Sequence, residues 1–395
     1  MVPTKTVSMK IPALESLQLA KIQEILGPPG PCLTLLLPPY RPGEPAKSAA
    51  AQIKTNLKNA ARLMAEAKVP EAVISEIVEP LHHLSEDPTL PGGSHWGRAI
   101  FRSRRVFRQF QFSAVGAATT TVAGCFAIRP LLADLQLPQE FYLLMLSKEN
   151  IGLMRSTDLR AEPVALPKGV PETLAEAMEF EPPDHDLENR AASGGGMGAL
   201  RGVRFGTGSG RETQHAHLAD FYKLVDRGLH KFLHAKGDAS LVLVGVDEDT
   251  SSYRAINTYP NLIAGSVHGS PGAFDNESVL LHDAFAAIRE EFVAREARTL
   301  VQSRERLGPA RFSTDPATVI HAAFAGRVDR VYIGETGRWD GVFEKEGYRS
   351  CGEEDLLNLG AVQSILHGGR AFVLPASKMP GGASIAASLR FPIAT

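Results

Sequence analysis

The segment from residue 190 to residue 211 combines backbone freedom with positive charge. It contains eight glycines, four arginines (Arg190, Arg201, Arg204 and Arg211) and no acidic residue. Glycine lets a backbone adopt unusual dihedral angles and approach another molecule closely. Arginine binds phosphate oxygens, here without competition from nearby carboxylates. The composition predicts a mobile loop, either one that contacts a polyanion or a glycine-rich surface loop with incidental arginines.

A second basic segment combines arginine with phenylalanine. Its charged members are Arg98, Arg102, Arg104, Arg105 and Arg108, and its rings are Phe101, Phe107, Phe110 and Phe112. On an exposed strand the arginines would grip phosphates, and the rings would stack on bases. The same pattern is also typical of a half-buried edge strand with phenylalanine inward and arginine outward, so both interpretations stay open.

Signatures of several enzyme classes are missing from the sequence. There is no P-loop, no nucleophile elbow and no zinc-protease motif. His230 and His234 have a metal-capable spacing, but no third ligand is evident, so we expect surface residues and no metal site. His215 and His217 beside the glycine-rich segment are candidates for acid–base chemistry, or they belong to the start of a helix. We expect no cofactor.

Composition bounds the class of protein further. The chain has 395 residues, 44% of them hydrophobic, and a net charge of -2, which excludes wholesale disorder and a histone-like coat for nucleic acid. Residues 1–135 are the most basic part, with 15 basic and 10 acidic side chains. The three cysteines are far apart, which favours a reducing, cytoplasmic location. We expect no transmembrane segment and no signal peptide.

The elements that would position these residues alternate between helices and strands, as in an α/β protein. The run Cys32–Leu37 predicts a buried strand, and helices are expected over 46–67 and 70–84, followed by strands over 99–128. Two apolar runs at 141–146 and 151–154 predict a hairpin. Further on, a helix with apolar positions from Leu218 to Leu233 should end near Gly237, before a central strand at 241–246. We expect three domains, at 1–135, 138–268 and 272–395, with the glycine-rich loop (190–211) in the second.

The order of these elements resembles a known superfamily. A hairpin, a loop containing Gly194-Gly195-Gly196-Met197, a long helix and a strand follow one another, as in the middle domain of archaeo-eukaryotic class 1 release factors and Pelota. Leu33–Pro39 followed by Gln52-Ile53-Lys54-Thr55 is similar to their N-terminal domain. Asp315 and Pro316 predict the N-cap and first turn of a helix. The long helix from Val279 and then the segment 315–334 are similar to their third domain. The chain looks closest to the bacterial offshoot. The resemblance implies an N-terminal α/β domain, a middle RNase H-like mixed sheet with helices, and a C-terminal α-β-α sandwich.

The resemblance also implies roles for individual residues. In the superfamily a Gly-Gly-Gln loop enters the peptidyl-transferase centre, and the glutamine helps to position the water that cleaves peptidyl-tRNA. Gly195 and Gly196 match the glycines, but Met197 stands where glutamine is expected. A thioether has no amide group, so we expect no hydrolysis. Lys54 matches the lysine of an Asn-Ile-Lys-Ser motif that reads stop codons; alternatively it lies on a solvated helix face.

The resulting prediction is a ribosome-associated translation factor that occupies the A site in hibernation or rescue. Its implied partners are ribosomal RNA, tRNA or mRNA, and a translational GTPase contacted through the C-terminal domain; DNA and membranes are not expected. The candidate RNA-binding residues are Lys54, Arg98, Arg102, Arg104, Arg105, Arg190, Arg201, Arg204 and Arg211. Two alternatives stay open: a release factor that hydrolyses peptidyl-tRNA with His215 or His217 as base, and a ribosome-independent protein adaptor.

Overall fold

The fold is known from a computed structural model. It describes residues 12–27, 30–39, 46–86, 96–113, 118–147, 150–180, 209–269, 277–341 and 354–392. The chain divides into two compact units, one made of Met1–Leu137 and Phe292–Thr395 and the other of Pro138–Glu291. The expected α/β class is confirmed, with three main sheets among the described residues. None of the described helices is both long and apolar enough to cross a membrane.

The N-terminal sheet of the first unit has the strand order β1-β4-β3-β2-β5. Its strands are β1 (Leu14–Ser16), β2 (Cys32–Leu37), β3 (Gly97–Arg102), β4 (Phe107–Phe112) and β5 (Thr119–Ala123). The helices around it are α1 (Leu19–Ile25), α2 (Ala46–Glu66) and α3 (Glu71–Val78). The predicted strand at Cys32–Leu37 is buried throughout, because sheet neighbours lie on both of its sides.

The expected helix over 70–84 is interrupted. Helix α3 ends at Val78, and a 3-10 helix covers Glu79–Glu86. Pro80 explains the change, because proline has no backbone N–H with which to continue the α-helical bond to the carbonyl of Glu76. That carbonyl therefore needs another donor.

The second unit is built on a mixed sheet with the order β10-β9-β6-β7-β8. Its strands are β6 (Glu140–Leu146), β7 (Ile151–Thr157), β8 (Arg160–Val164), β9 (Ser240–Gly245) and β10 (Leu262–His268). Strands β6 and β7 form the predicted antiparallel hairpin, whereas β6, β9 and β10 run parallel. The predicted central strand is β9, which lies between β6 and β10.

Helices of the second unit pack on this sheet. They are α5 (Leu174–Phe180), α6 (Ser209–Ala235) and α7 (Asp247–Ile256). The apolar positions predicted between Leu218 and Leu233 join one buried cluster with β6 and β9. Chain reversal after α6 occurs at Gly237, whose φ of 74° is the left-handed conformation expected of a helix stop.

The C-terminal sheet belongs to the first unit and has the order β11-β16-β12-β15. Its strands are β11 (Phe312–Ser313), β12 (Val328–Gly334), β15 (Arg370–Leu374) and β16 (Ile385–Leu389), and a separate ribbon pairs β13 (Asp340–Gly341) with β14 (Glu354–Asp355). Helix α8 (Glu277–Arg311) is divided between the units, with its residues up to Glu291 in the second and those from Phe292 in the first. The other helices of this part are α4 (Leu132–Leu135), α9 (Pro316–Phe324) and α10 (Leu356–Leu366). Shorter 3-10 turns lie at Arg129–Leu131, Ala376–Lys378 and Pro380–Gly382. Asp315 caps α9 as predicted, accepting a hydrogen bond from the Thr318 N–H at 2.9 Å.

The N-terminal and C-terminal sheets share one hydrophobic cluster. A buried side chain, Asn358 of α10, adds polar bonds to it: its Oδ1 accepts from the N–H groups of Ile128 and Arg129, and its Nδ2 donates to the carbonyl of Phe126. Each of the three expected segments thus contains one main sheet, although the first and third pack as one unit. The three-domain division remains a prediction.

Candidate nucleic-acid interface

The glycine-rich loop contains the residues predicted to reach the peptidyl-transferase centre. Gly195, Gly196, Met197, Arg190, Arg201 and Arg204 lie outside the described residues, and so does the side chain of Arg211 in α6. Their proposed roles therefore remain predictions. Helix α6 begins at Ser209, so the last three residues of the expected loop, 209–211, are helical.

Helix α6 is held firmly where it passes over the sheet. Its inner side buries Leu218, Phe221, Tyr222, Val225, Leu229 and Leu233. At Gly228 the preceding chain comes so close that a methyl group there would lie 2.1 Å from Cγ2 of Val170. Only glycine permits this approach, a requirement that no sequence pattern announced. The described part of α6 is therefore fixed on the sheet from Leu218 to Leu233.

A buried carboxylate fixes α6 to the connection between α7 and β10. Asp226 is 4% exposed, and it accepts hydrogen bonds from the Thr258 hydroxyl at 2.6 Å and the Thr258 N–H at 3.1 Å. It also accepts the Tyr253 hydroxyl at 3.4 Å. Burial, with a smaller contribution from Asp226, raises the pKa of Tyr253, so the phenol stays a neutral donor. Because these hydrogen bonds occupy both oxygens of the Asp226 carboxylate, we assign Asp226 a structural role.

The arginine–phenylalanine segment forms two interior strands, so the expected edge strand is wrong. Strand β3 lies between β2 and β4, and β4 lies between β3 and β1. Its four phenylalanine rings are buried, so they are not available for stacking on bases. Two of the five arginines are also partly or fully removed from the surface. Arg98 is half-buried and donates to Gln109 at 3.3 Å, and Arg102 is buried.

Arg102 serves the N-terminal core. It is only 2% exposed, and its guanidinium donates to the carbonyl of Glu76 at 2.8 Å and to that of Ser103 at 2.6 Å, with a longer bond to Val106. The Glu76 carbonyl is the one that Pro80 leaves without an α-helical donor. Burial lowers the pKa of Arg102, and the Glu76 carboxylate opposes that change. Since these partners occupy the guanidinium, Arg102 is not positioned to hold an external phosphate.

Exposed cations of the N-terminal sheet lie mainly in and after the β3–β4 turn. Arg104 is exposed and forms an ion pair with Glu76 at 3.0 Å, whereas Arg105 and Arg108 are exposed and form no ion pair within the described ranges. Lys54 is exposed on α2, although its sequence neighbours Ile53 and Leu57 are buried on the other side of the helix. Its position fits both interpretations given above, a ligand-facing lysine and a solvated face.

The histidine pair on α6 does not assemble a metal site. His230 Nδ1 lies 3.2 Å from the Thr258 hydroxyl, and His234 Nδ1 lies 2.8 Å from Asp238. Among the described residues no group of three potential ligands is suited to a metal ion. His217 is half-buried near the start of the described part of α6, and the side chain of His215 lies outside it.

One family model matches part of the chain. Residues 140–327 match the family model described as bacterial archaeo-eukaryotic release factor family 3, which confirms over that segment the resemblance drawn from the loop and its flanking elements. None of the curated proteins matches the chain.

Solved structures show a weaker likeness. An archaeal translation termination factor, aRF1, is 14% identical, with 95% of this chain and 99% of that one covered and a TM-score of 0.24. Archaeoglobus fulgidus Pelota is 12% identical over 75% and 80%, with a TM-score of 0.32. The archaeal Pelota of a ribosome-bound model with ABCE1 is 11% identical over 96% of both chains, with a TM-score of 0.35. These scores are too low to support conclusions about fold or function.

Proposed function

Because a bacterial archaeo-eukaryotic release factor model matches the middle of this chain, we propose that the protein is a ribosome-binding translation factor that occupies the A site of idle or stalled ribosomes. The observation that carries the proposal is the position of Gly195-Gly196-Met197 inside the matched segment, 140–327. The glycines of the release-factor loop are present, and its glutamine is replaced. The loop is therefore proposed to reach toward the peptidyl-transferase centre without completing its chemistry.

The chemistry of Met197 favours occupancy over hydrolysis. A methionine sulfur is a weak acceptor and donates no hydrogen bond, so it cannot orient a water as an amide does. The backbone N–H of residue 197 would still be available for electrostatic stabilisation. Because both glycines are present, the backbone of the loop could still approach the substrate. The remaining alternative is therefore slow hydrolysis of peptidyl-tRNA with His215 or His217 as the base.

Exposed cations in the N-terminal region are the proposed contacts with ribosomal RNA outside the loop. Lys54 and Arg105 are exposed, and within the described ranges neither forms an ion pair. Contacts of this kind position a protein on RNA without reading sequence. Arg190, Arg201, Arg204 and Arg211 are proposed to do the same for the loop. The C-terminal segment is proposed to contact a translational GTPase.

Binding to vacant bacterial ribosomes tests the proposal. We expect saturable co-sedimentation that weakens steeply as the salt concentration rises, since each phosphate contact adds about 0.7–0.9 to the slope of log K against log salt. A-site tRNA should compete, and P-site tRNA should not. Absence of binding at low salt by a folded protein, or binding indifferent to A-site tRNA, would contradict the proposal.

A methionine replacement separates occupancy from release. Met197→Gln restores the amide and should produce hydrolysis of ribosome-bound peptidyl-tRNA if the loop reaches the reactive centre, whereas the matched control Met197→Leu should stay inactive. Hydrolysis by the unmodified protein, abolished by His217→Ala, would instead establish the enzymatic alternative.

A further inference from the structure

The outer side of α6 carries a row of positive side chains to which no role has been given. Lys223, Arg227 and Lys231 are spaced four residues apart, and all three are exposed. Residues four apart lie on the same side of an α-helix, separated by a rise of about 6 Å. The three side chains therefore form a straight basic row, called here the α6 row.

The α6 row faces away from the protein core. Positions 222, 225, 229 and 233 are buried against the mixed sheet, and Arg227 lies on the opposite side of the helix from their centre. The apolar side of α6 is thus already used inside the protein. None of the large exposed hydrophobic side chains of the described residues lies on α6. A membrane-surface helix needs a free apolar side, so this surface does not fit a lipid bilayer.

Local acids neutralise only the first residue of the row. Lys223 pairs with Asp220 at 2.9 Å, and both side chains are about half exposed. Arg227 and Lys231 form no ion pair within the described part of the chain. The other acid on this stretch, Asp226, points inward to Thr258. Uncompensated positive charge on one helix side is the electrostatic footprint of a polyanion site.

The acids nearest to the row lie beside its first residue. Residues 136–270 contain 13 basic and 18 acidic side chains, and Asp247, Glu248 and Asp249 lie at the start of α7. Burial, with smaller contributions from Asp249 and Glu248, raises the pKa of Tyr222, the neighbour of Lys223. The positive potential of the row is therefore assigned to Arg227 and Lys231.

We propose that the α6 row binds the phosphate backbone of RNA. The choice of RNA as the polyanion rests on the proposed ribosomal function. The row exposes no phenylalanine, tyrosine or tryptophan among the described residues, so it has no platform for base stacking. The contact is therefore independent of RNA sequence and is made by single charges. It extends the proposed RNA surface from the arginines of the loop along the helix that follows.

The test compares two double substitutions that remove the same charge. Arg227→Gln with Lys231→Gln removes the two unpaired charges of the α6 row. Arg160→Gln with Lys168→Gln removes two exposed charges of the same unit that are not on α6. Binding to vacant bacterial ribosomes is measured over a salt series. The row variant should bind about tenfold more weakly near 0.1 M salt, with a slope smaller by about 1.4–1.8; the control should match the unmodified protein.

A 24-nucleotide RNA hairpin provides the second probe, and circular dichroism confirms folding of each variant. If the unmodified protein ignores ribosomes but binds the hairpin, and the row variant alone loses salt dependence, the ribosomal proposal fails and the RNA inference stands. If the protein binds ribosomes and the row variant keeps its affinity and slope on both probes, the inference fails and the ribosomal proposal stands. If the two double variants lose the same affinity, the loss reflects the lower net charge of the protein rather than the position of the row, and the inference is overturned.

Discussion

Two basic regions of this protein contain similar residues and use them differently. In the β3–β4 region, five arginines lie within residues 98–108, yet one is buried and another half-buried. On α6, three cations spread over nine residues are all exposed on one side. Density of charge along the sequence is thus a poorer guide to a binding surface than the match between its spacing and the period of the element.

The cause lies in the geometry of the two elements. Successive side chains of a strand alternate between faces, and both faces of the N-terminal sheet are covered by hydrophobic clusters. An arginine within such a strand must therefore find internal partners or lie near an end. A surface helix has one solvated side, and residues four apart share it. The predictions below test this contrast in order of decreasing expected effect.

Removal of the buried arginine should have the largest effect. Arg102→Met removes the guanidinium donor from the carbonyls of Glu76 and Ser103, whereas the carbonyl of Val106 keeps the N–H of Ser103 at 2.8 Å. Buried groups that lose a charged partner cost roughly 3 kcal/mol in total, so the free energy of unfolding in urea should fall by that amount. The control Arg105→Gln, at an exposed position, should change it by less than about 0.5 kcal/mol. Equal stability of the two variants would mean that Arg102 is not a structural residue.

Substitutions on the inner side of α6 should lower stability, whereas those on the outer side should weaken RNA binding. Asp226→Ala removes the acceptor of the Thr258 N–H and hydroxyl, and we expect a loss of about 2 kcal/mol of stability from these buried bonds. Its neighbour Arg227→Gln should leave stability within about 0.5 kcal/mol and should weaken RNA binding. Denaturant unfolding measures the first effect, and the salt series measures the second. A stable Asp226→Ala variant with weakened binding would invert the assignment of the two sides.

Local patterns predicted much of the fold. The apolar period of α6, its stop at Gly237, the hairpin of β6 and β7 and the cap of α9 at Asp315 all depend on residues close in sequence, and all are present. What failed depends on distant partners. Arg102 donates to the carbonyl of Glu76, which is 26 residues away in sequence and which Pro80 leaves without an α-helical donor. The hydrogen bonds of Asn358 join it to residues more than 220 positions away.

The candidate site divides along the same line. Glycine and arginine content predicts a loop over 190–211 from local sequence alone, and its proposed contacts stay a prediction because residues 190–208 lie outside the described residues. The α6 row was missed because the helix was interpreted through its apolar period only, although the spacing of Lys223, Arg227 and Lys231 was equally readable. The inward orientation of Asp226, which leaves Arg227 and Lys231 without an adjacent acid, depends on the tertiary contact with Thr258.

Two neighbouring arginines should differ in their contribution to ribosome binding. Arg104 is held by Glu76 at 3.0 Å, whereas the exposed Arg105 has no such ion pair among the described residues. Arg105→Gln should therefore weaken binding about threefold and lower the salt slope by roughly 0.7–0.9, the contribution of one phosphate contact. Arg104→Gln should change both quantities less. A larger effect at Arg104 would show that the turn rearranges on the ribosome and that burial in the free protein is a poor guide there.

The smallest expected effect has the opposite sign. Asp220→Asn removes the carboxylate that pairs with Lys223 at 2.9 Å while keeping a side chain of similar size. Exposed pairs of this kind contribute at most about 1 kcal/mol, so the helix should lose little stability. The freed ammonium can then turn toward a phosphate, and a repelling charge disappears, so RNA hairpin binding should tighten about twofold at low salt. The gain should vanish in the background of Lys223→Gln, because the effect acts through that lysine. Tightening that persists without Lys223 would instead reflect the general loss of a negative charge, and the α6 row would then begin at Arg227.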